Sequence, residues 1–78
     1  PYKDEFEGYS GDLIDGLPNG YGTMITDSGI RVVGHFSDGE ADGFCTLYCP
    51  NGNIIEGEFV RNDIIRGKVK YKCIYWNL

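Results

Sequence analysis

Residues 9–29 read YSGDLIDGLPNGYGTMITDSG, and residues 32–52 read VVGHFSDGEADGFCTLYCPNG. Glycines recur between the two stretches on a fixed step of 23 positions: Gly11 and Gly34, Gly16 and Gly39, Gly20 and Gly43, Gly29 and Gly52. A weaker third copy begins at Ile55 and keeps Gly57 and Phe59 at the same interval. A period of this length predicts a repeat protein, in which each small unit is stabilised by stacking on its neighbours.

Each unit is predicted to form two strands joined by a turn. In the first unit the strands run from Phe6 to Ile14 and from Gly20 to Thr26, with a turn region at residues 15–19. Asp-Gly and Asn-Gly between apolar runs are strong hairpin signals, because glycine adopts positive φ without strain. In the third unit we expect Asn62-Asp63 to replace the Asp-Gly turn. One inserted residue before Gly67 would then place Val69 where Gly22 stood, as in an atypical capping unit.

Alternation along the first strands predicts an apolar face and a polar face. Tyr9, Gly11 and Leu13 share one face, and their counterparts 23 and 46 residues later do the same. A glycine at the middle of an apolar strand face suggests that a neighbouring ring lies over the bare backbone. The second strands carry apolar residues on both sides, so the sequence leaves open which of them water contacts.

Length and charge limit the possible classes of protein. The chain has 78 residues and a net charge of -5, which predicts one domain at residues 1–78 with units at 9–31, 32–54 and 55–78. The acidic residues all precede position 64, so nucleic acid is not expected as a partner. We see neither a signal peptide nor an apolar run long enough to span a membrane. Three cysteines, an odd number, favour a reduced, cytoplasmic setting.

The pattern Tyr9-Ser10-Gly11-Asp12-Leu13, followed by Asp15-Gly16, by Asn19-Gly20-Tyr21-Gly22-Thr23 and by a closing Gly29, resembles the MORN repeat (membrane occupation and recognition nexus). The second unit follows the same pattern with Val32 at the aromatic position and Cys45 at the second glycine of Gly-aromatic-Gly. The resemblance implies an all-β fold: a single-layer antiparallel sheet of consecutive β-hairpins. It also implies a module without catalytic residues, found in cytoskeletal and membrane-junction scaffolds, in phosphoinositide kinases and in a SET-type lysine methyltransferase.

No catalytic, metal or cofactor site is predicted. Asp12, His35 and Glu58 share one slot in successive units, but equivalent slots lie two strands apart, about 9.5 Å, which is too far for proton transfer or shared ligation. The cysteines at positions 45, 49 and 73 lack the spacing of zinc ligands, and we interpret them as small apolar filler.

Two sets of residues are candidates for binding. The first is an aromatic face that would hold a peptide, a helix or another copy of the chain: Tyr9, Tyr21, Phe36, Phe44, Tyr48 and Phe59. The alternative is that these rings only pack on one another as core. The second is an alternating basic stripe in the last strand: Arg66, Lys68, Lys70 and Lys72. This stripe suits anionic membrane lipid or an acidic protein, and equally suits protection of an exposed sheet edge.

The sequence therefore predicts a non-catalytic module for protein–protein interaction or scaffolding, part of a larger protein and associated with cytoskeleton or membrane. The alternative functions are membrane targeting through the basic strand, or an accessory region of a lipid kinase or lysine methyltransferase. In each case any enzymatic activity would reside outside this segment.

Overall fold

The computed structural model describes residues 8–72, which form one six-stranded antiparallel sheet. The strands are β1 (Tyr9–Ile14), β2 (Leu17–Ile25), β3 (Arg31–Ser37), β4 (Glu40–Tyr48), β5 (Ile54–Val60) and β6 (Asp63–Tyr71). Their order in the sheet is their order in the chain, and residues 8–72 contain no helix. The predicted all-β meander of hairpins is confirmed. The predicted start of the first strand at Phe6 lies outside the described residues.

Successive units make the same contacts with one another. The backbone N–H of Gly39 donates to the carbonyl of Pro18, and 23 residues later the N–H of Asn62 donates to the carbonyl of Ala41, both at 2.9 Å. Each hairpin turn is thereby held against the second strand of the preceding unit. The repeat in the sequence is thus a repeat of packing, in which consecutive hairpins lie side by side in the same orientation.

Each hairpin turns through two residues only: Asp15-Gly16, Asp38-Gly39 and Arg61-Asn62. All six residues have positive φ, between 49° and 90°, which is the conformation of a type I′ turn. The prediction of a third turn at Asn62-Asp63 was therefore wrong by one residue, and the turn keeps the 23-residue step. The predicted turn region at residues 15–19 was too long, because β2 already begins at Leu17.

Strand pairing also corrects the alignment of the third unit. Gly57 pairs with Gly67, as Gly11 pairs with Gly22, so Gly67 and not Val69 occupies the position of Gly22. The third unit is consequently one residue shorter than the others between the turn and this glycine, not longer. In each of the first two units the hairpin has a bulge, which contains Gly20 in one unit and Gly43 in the other, with φ of 94° and 112°. The residue that the third unit lacks belongs to this bulge. With a shorter bulge, the third unit needs no glycine there.

One face of the sheet, here called the core face, carries the hydrophobic cluster. Phe36, Ala41, Cys45 and Phe59 are buried, and four partly buried residues pack around them: Tyr9, Met24, Val32 and Leu47. The ring of Tyr9 meets that of Phe36 edge to face at a centroid distance of 5.3 Å, a favourable aromatic geometry. The opposite face is here called the open face, and within residues 8–72 neither face is covered by a second layer.

At the glycine in the middle of each first strand, the core face has a gap over the paired backbone. A different residue fills this gap in each unit. In the first unit the hydroxyl of Tyr9 lies over Gly22 and donates to the carbonyl of Asp12 at 3.0 Å. In the second unit the thiol of Cys45 donates to the equivalent carbonyl, that of His35, at 3.4 Å. In the third, the side chain of Ile64 lies over Gly57 and Gly67. The predicted ring over bare backbone is confirmed for the first unit alone.

The hydroxyl of Tyr9, a partly buried residue, is hydrogen-bonded and makes stability sensitive to alkaline pH. Burial, with a smaller effect of the Asp12 charge, raises the pKa of Tyr9 above its usual 10.0. The folded state therefore favours the protonated form, and its contribution is complete below pH 10 and lost as pH rises through the raised pKa. We expect Tyr9→Phe to lower the free energy of unfolding by about 1 kcal/mol at pH 7 and to flatten the loss of stability above pH 10.

Urea unfolding of the wild type, Tyr9→Phe and Tyr21→Phe between pH 7 and about pH 11 measures this effect. Tyr21 is a matched control because its side chain is 68% exposed. The expectation would be contradicted if the free energy of unfolding fell with pH above 10 as steeply in Tyr9→Phe as in Tyr21→Phe.

Candidate interaction surface

The structure divides the six predicted aromatic binding residues between the two faces of the sheet. Phe36 and Phe59 are 2% and 7% exposed and belong to the core face, and Tyr9 packs beside them. On the open face Tyr21 is 68% exposed and Phe44 is 60% exposed, and Tyr48 is also accessible. Because a partner can contact only exposed rings, the open-face half of the set forms the candidate surface.

Phe44 stands at one wall of a cleft on the open face. The cleft has a volume of about 440 Å³, and its floor is the backbone at Gly57 and Gly67. Strand register places Phe44 beside Glu58, and Glu58 in turn beside Arg66. The remaining walls come from Glu56 and Lys68. The cleft thus combines one apolar ring with charges of both signs.

Two of the four predicted basic residues already have acidic partners. Arg66 Nε lies 3.3 Å from Glu58 Oε1, and Lys70 Nζ lies 3.3 Å from Glu56 Oε2. At least one side chain of each pair is largely solvent-exposed, so each pair contributes little to stability. Their main effect is to reduce the positive potential that this part of the sheet presents.

The other two basic residues differ in setting. Lys68 faces Glu56 across the β5–β6 pair and lines the cleft. Lys72 is exposed and follows the end of β6 at Tyr71. The sequence predicted a uniform basic stripe on the last strand. In the structure, basic side chains of β6 instead lie beside the glutamates of the neighbouring strand β5.

A second row of side chains crosses the open face, all exposed except the partly buried Ile54, and only Tyr48 of this row was predicted from the sequence. Strand pairing aligns five residues in this row: Ile25, Arg31, Tyr48, Ile54 and Tyr71. The guanidinium of Arg31 lies 4.8 Å from the centroid of the Tyr48 ring, a cation–π distance. A signal did exist, because Ile25, Tyr48 and Tyr71 follow the same 23-residue step. The row extends the apolar part of the candidate surface.

The polar residues in the repeated slot do not form a reaction centre. Asp12, His35 and Glu58 lie on β1, β3 and β5, with a strand between each pair. His35 Nδ1 instead lies 3.0 Å from the carbonyl oxygen of Asp42, and its ring meets that of Tyr21 edge to face. Within residues 8–72 no cluster of histidine, cysteine and carboxylate groups has the arrangement of a metal site.

The described cysteines are free thiols with different surroundings. Cys45 is 1% exposed, and burial raises the pKa of its thiol, which disfavours the reactive thiolate. The interpretation of Cys45 as apolar filler is confirmed. Cys49 follows the end of β4 and is partly exposed, and Cys73 lies outside the described residues.

The fold and the repeated contacts agree with the comparison to protein families. The model of the MORN repeat matches residues 9–31 and 33–54, more than half of the chain. The chain therefore belongs to the MORN repeat family, a class of non-catalytic modules associated with interaction with proteins or membranes. Among curated proteins, none matches it significantly. Residues 8–72 include no helix with the length and apolar character needed to cross a bilayer.

Proposed function

We propose that this MORN module binds a protein partner through its open face, with Phe44 as the anchor. The observation that carries the proposal is the setting of Phe44, which is 60% exposed at the wall of a cleft floored by strand backbone. Aromatic residues in such positions dominate the energy of many protein interfaces. The exposed rings of Tyr21 and Tyr48 extend the contact area along the same face.

The mixed charge around the cleft favours a protein over an anionic membrane. A lipid surface attracts a cluster of uncompensated lysine and arginine residues. Here Glu56 and Glu58 of β5 lie beside the basic residues of β6 and form ion pairs with two of them. Charges of both signs around an apolar ring suit a polypeptide segment that brings its own basic and acidic groups.

We expect Phe44→Ser to abolish partner binding while the fold is retained. The side chain is exposed, so its loss should change the free energy of unfolding by less than about 1 kcal/mol. The measurement is an affinity purification from cells that compares the wild type with Phe44→Ser and with Ile14→Ser. Ile14 is a matched control, because it is an apolar strand residue with 61% exposure outside the cleft. Circular dichroism verifies the fold of each variant.

Proteins retained by the wild type and by Ile14→Ser, but lost by Phe44→Ser, support the proposal. Equal retention by all three chains would reject Phe44 as the anchor. The membrane alternative is checked on the same three proteins and on Lys68→Glu by sedimentation with anionic vesicles at two salt concentrations. Binding at low salt that persists in Phe44→Ser and disappears in Lys68→Glu would replace the proposed function with lipid binding.

A further inference from the structure

We propose that β6 of one molecule binds β1 of a second copy, so that the sheet continues head to tail from chain to chain. Within residues 8–72, β1 and β6 are the two edges of the sheet. Each edge has a row of backbone N–H and C=O groups without a strand beside it, which is a template for pairing. Arg66, Gly67 and Lys68 of β6 also line the cleft at Phe44, so the two surfaces adjoin, but strand pairing uses the backbone edge of β6 and not the ring of Phe44.

The contact between units inside the molecule defines the register of this pairing. Between β2 and β3, Tyr21 lies opposite His35 and Gly22 opposite Gly34. Between β4 and β5, the corresponding pairs one repeat later are Phe44 with Glu58 and Cys45 with Gly57. Both strand pairs run without a bulge, so the contact between units is regular.

The same register applied to the two edges brings complementary charges together. Gly67 occupies the position of Gly22 and Cys45, and Gly11 that of Gly34 and Gly57. One residue away, Arg66 then lies opposite Asp12 of the second copy. The guanidinium would stand between Glu58 of its own chain, 3.3 Å away, and a second carboxylate. Opposite charges on facing strands stabilise a sheet.

The β6 edge disfavours pairing with itself. An antiparallel β6–β6 pair centred on Lys68 would place Arg66 opposite Lys70, and Lys68 opposite its own copy. Like charges directly opposite one another are destabilising, and lysines on an edge strand are a recognised barrier to such pairing. The basic stripe therefore disfavours pairing of two β6 edges, while its Arg66 attracts Asp12, the acidic residue of β1.

Apolar groups on the core face support the same partner. Val69 is 58% exposed and Ile64 is 48% exposed at the β6 end of the sheet. In the interior units Leu47 lies opposite Ile55 and Met24 opposite Val32, and these residues are partly buried. The transferred register would place Val69 opposite Tyr9 of the second copy, covering apolar surface that the isolated chain leaves in water.

Sedimentation velocity of the full 78-residue chain tests the proposal. We expect species larger than a monomer to grow as the concentration rises to about 1 mM. The affinity should fall at least about tenfold between roughly 0.01 M and 1 M salt, because the Debye length shortens from about 30 to 3 Å. A wild type that stays monomeric at low salt over this range would overturn the proposal.

Charge reversal identifies the surfaces involved. Asp12→Arg and Arg66→Asp should each remain monomeric alone, whereas their mixture and the double variant should associate again because opposite charges are restored. Asp27→Arg and Arg61→Asp are matched controls, since they make the same charge changes in exposed turns and should associate like the wild type. Circular dichroism confirms that each chain is folded.

Two outcomes contradict the head-to-tail contact. Association of Asp12→Arg as strong as that of the wild type would exclude the β1 edge. Association of Arg66→Asp alone would show that copies meet through another surface. Phe44→Ser should associate normally, so failure of this proposal and failure of the proposed function would be distinguishable.

Discussion

Gly34→Ala is expected to lower the free energy of unfolding by about 3 kcal/mol or more, because the new methyl group would collide with backbone. An ideal Cβ at this position lies 2.6 Å from Cys45 Cα and 2.8 Å from Cys45 Sγ, and the Phe44 carbonyl oxygen is in closer contact still. These atoms belong to the central strand β4 and cannot move without breaking its pairing with β5. A domain of 78 residues has a total stability of about 4–12 kcal/mol, so a loss of this size removes roughly a quarter to three quarters of it.

Gly57→Ala is the matched control for this prediction, since the glycine occupies the same slot one repeat later. There the added Cβ would meet Ile64 Cδ1 at 2.5 Å, and Ile64 is 48% exposed and free to rotate. The nearest backbone atom, the Arg66 carbonyl oxygen, is 3.1 Å away. We expect a loss of about 1 kcal/mol. Urea unfolding followed by circular dichroism measures both variants, and equal losses would argue against the structural difference between the units.

Phe36→Ala is expected to lower the free energy of unfolding by about 3–5 kcal/mol. Its side chain is 2% exposed and contacts the ring of Tyr9 across the first two units. Removal would leave a cavity at the centre of a small core that rigid strands cannot close. Thermal unfolding should show a large fall in the midpoint temperature, or no cooperative transition at all.

Tyr21→Ala provides the comparison, because Tyr21 is 68% exposed and stands on the open face. It loses an edge-to-face contact with His35, so we expect a change of less than about 1 kcal/mol. The two substitutions separate the readings that the sequence left open for the aromatic residues: Phe36 acts in folding, whereas Tyr21 is available to a partner. A Phe36→Ala protein as stable as Tyr21→Ala would refute this division.

The residues that fill the gap on the core face of each unit show why the units can differ in sequence. Tyr9, Cys45 and Ile64 occupy equivalent space although they stand at different positions in their units. Tyr9 reaches the gap from the first strand, and Cys45 and Ile64 reach it from the second. Comparison by position alone cannot find this equivalence, because it depends on the direction of each side chain across the paired strands.

The candidate surface was predictable only in part. The 23-residue step identified Tyr21 and Phe44 as equivalent, and alternation along the last strand grouped Arg66 with Lys68. It did not separate Phe44 from Phe36, because the second strands, to which Phe44 belongs, carry apolar residues on both sides and the sequence does not show which side is exposed. Nor did it show that Arg66 and Lys70 meet Glu58 and Glu56, since this depends on which residues of β5 and β6 lie opposite one another.

The amino-acid sequence by itself determined the class of fold and the length of the unit. Three features together predict hairpins of one size: the Asp-Gly turns, the glycine at the centre of each first strand and the constant step. The third turn and the shorter third bulge were decided only by tertiary structure, because pairing of Gly57 with Gly67 fixes the alignment where the local sequence is ambiguous. Tertiary structure also decided which rings are buried, since burial in a single-layer sheet depends on contacts between neighbouring units rather than on any one strand.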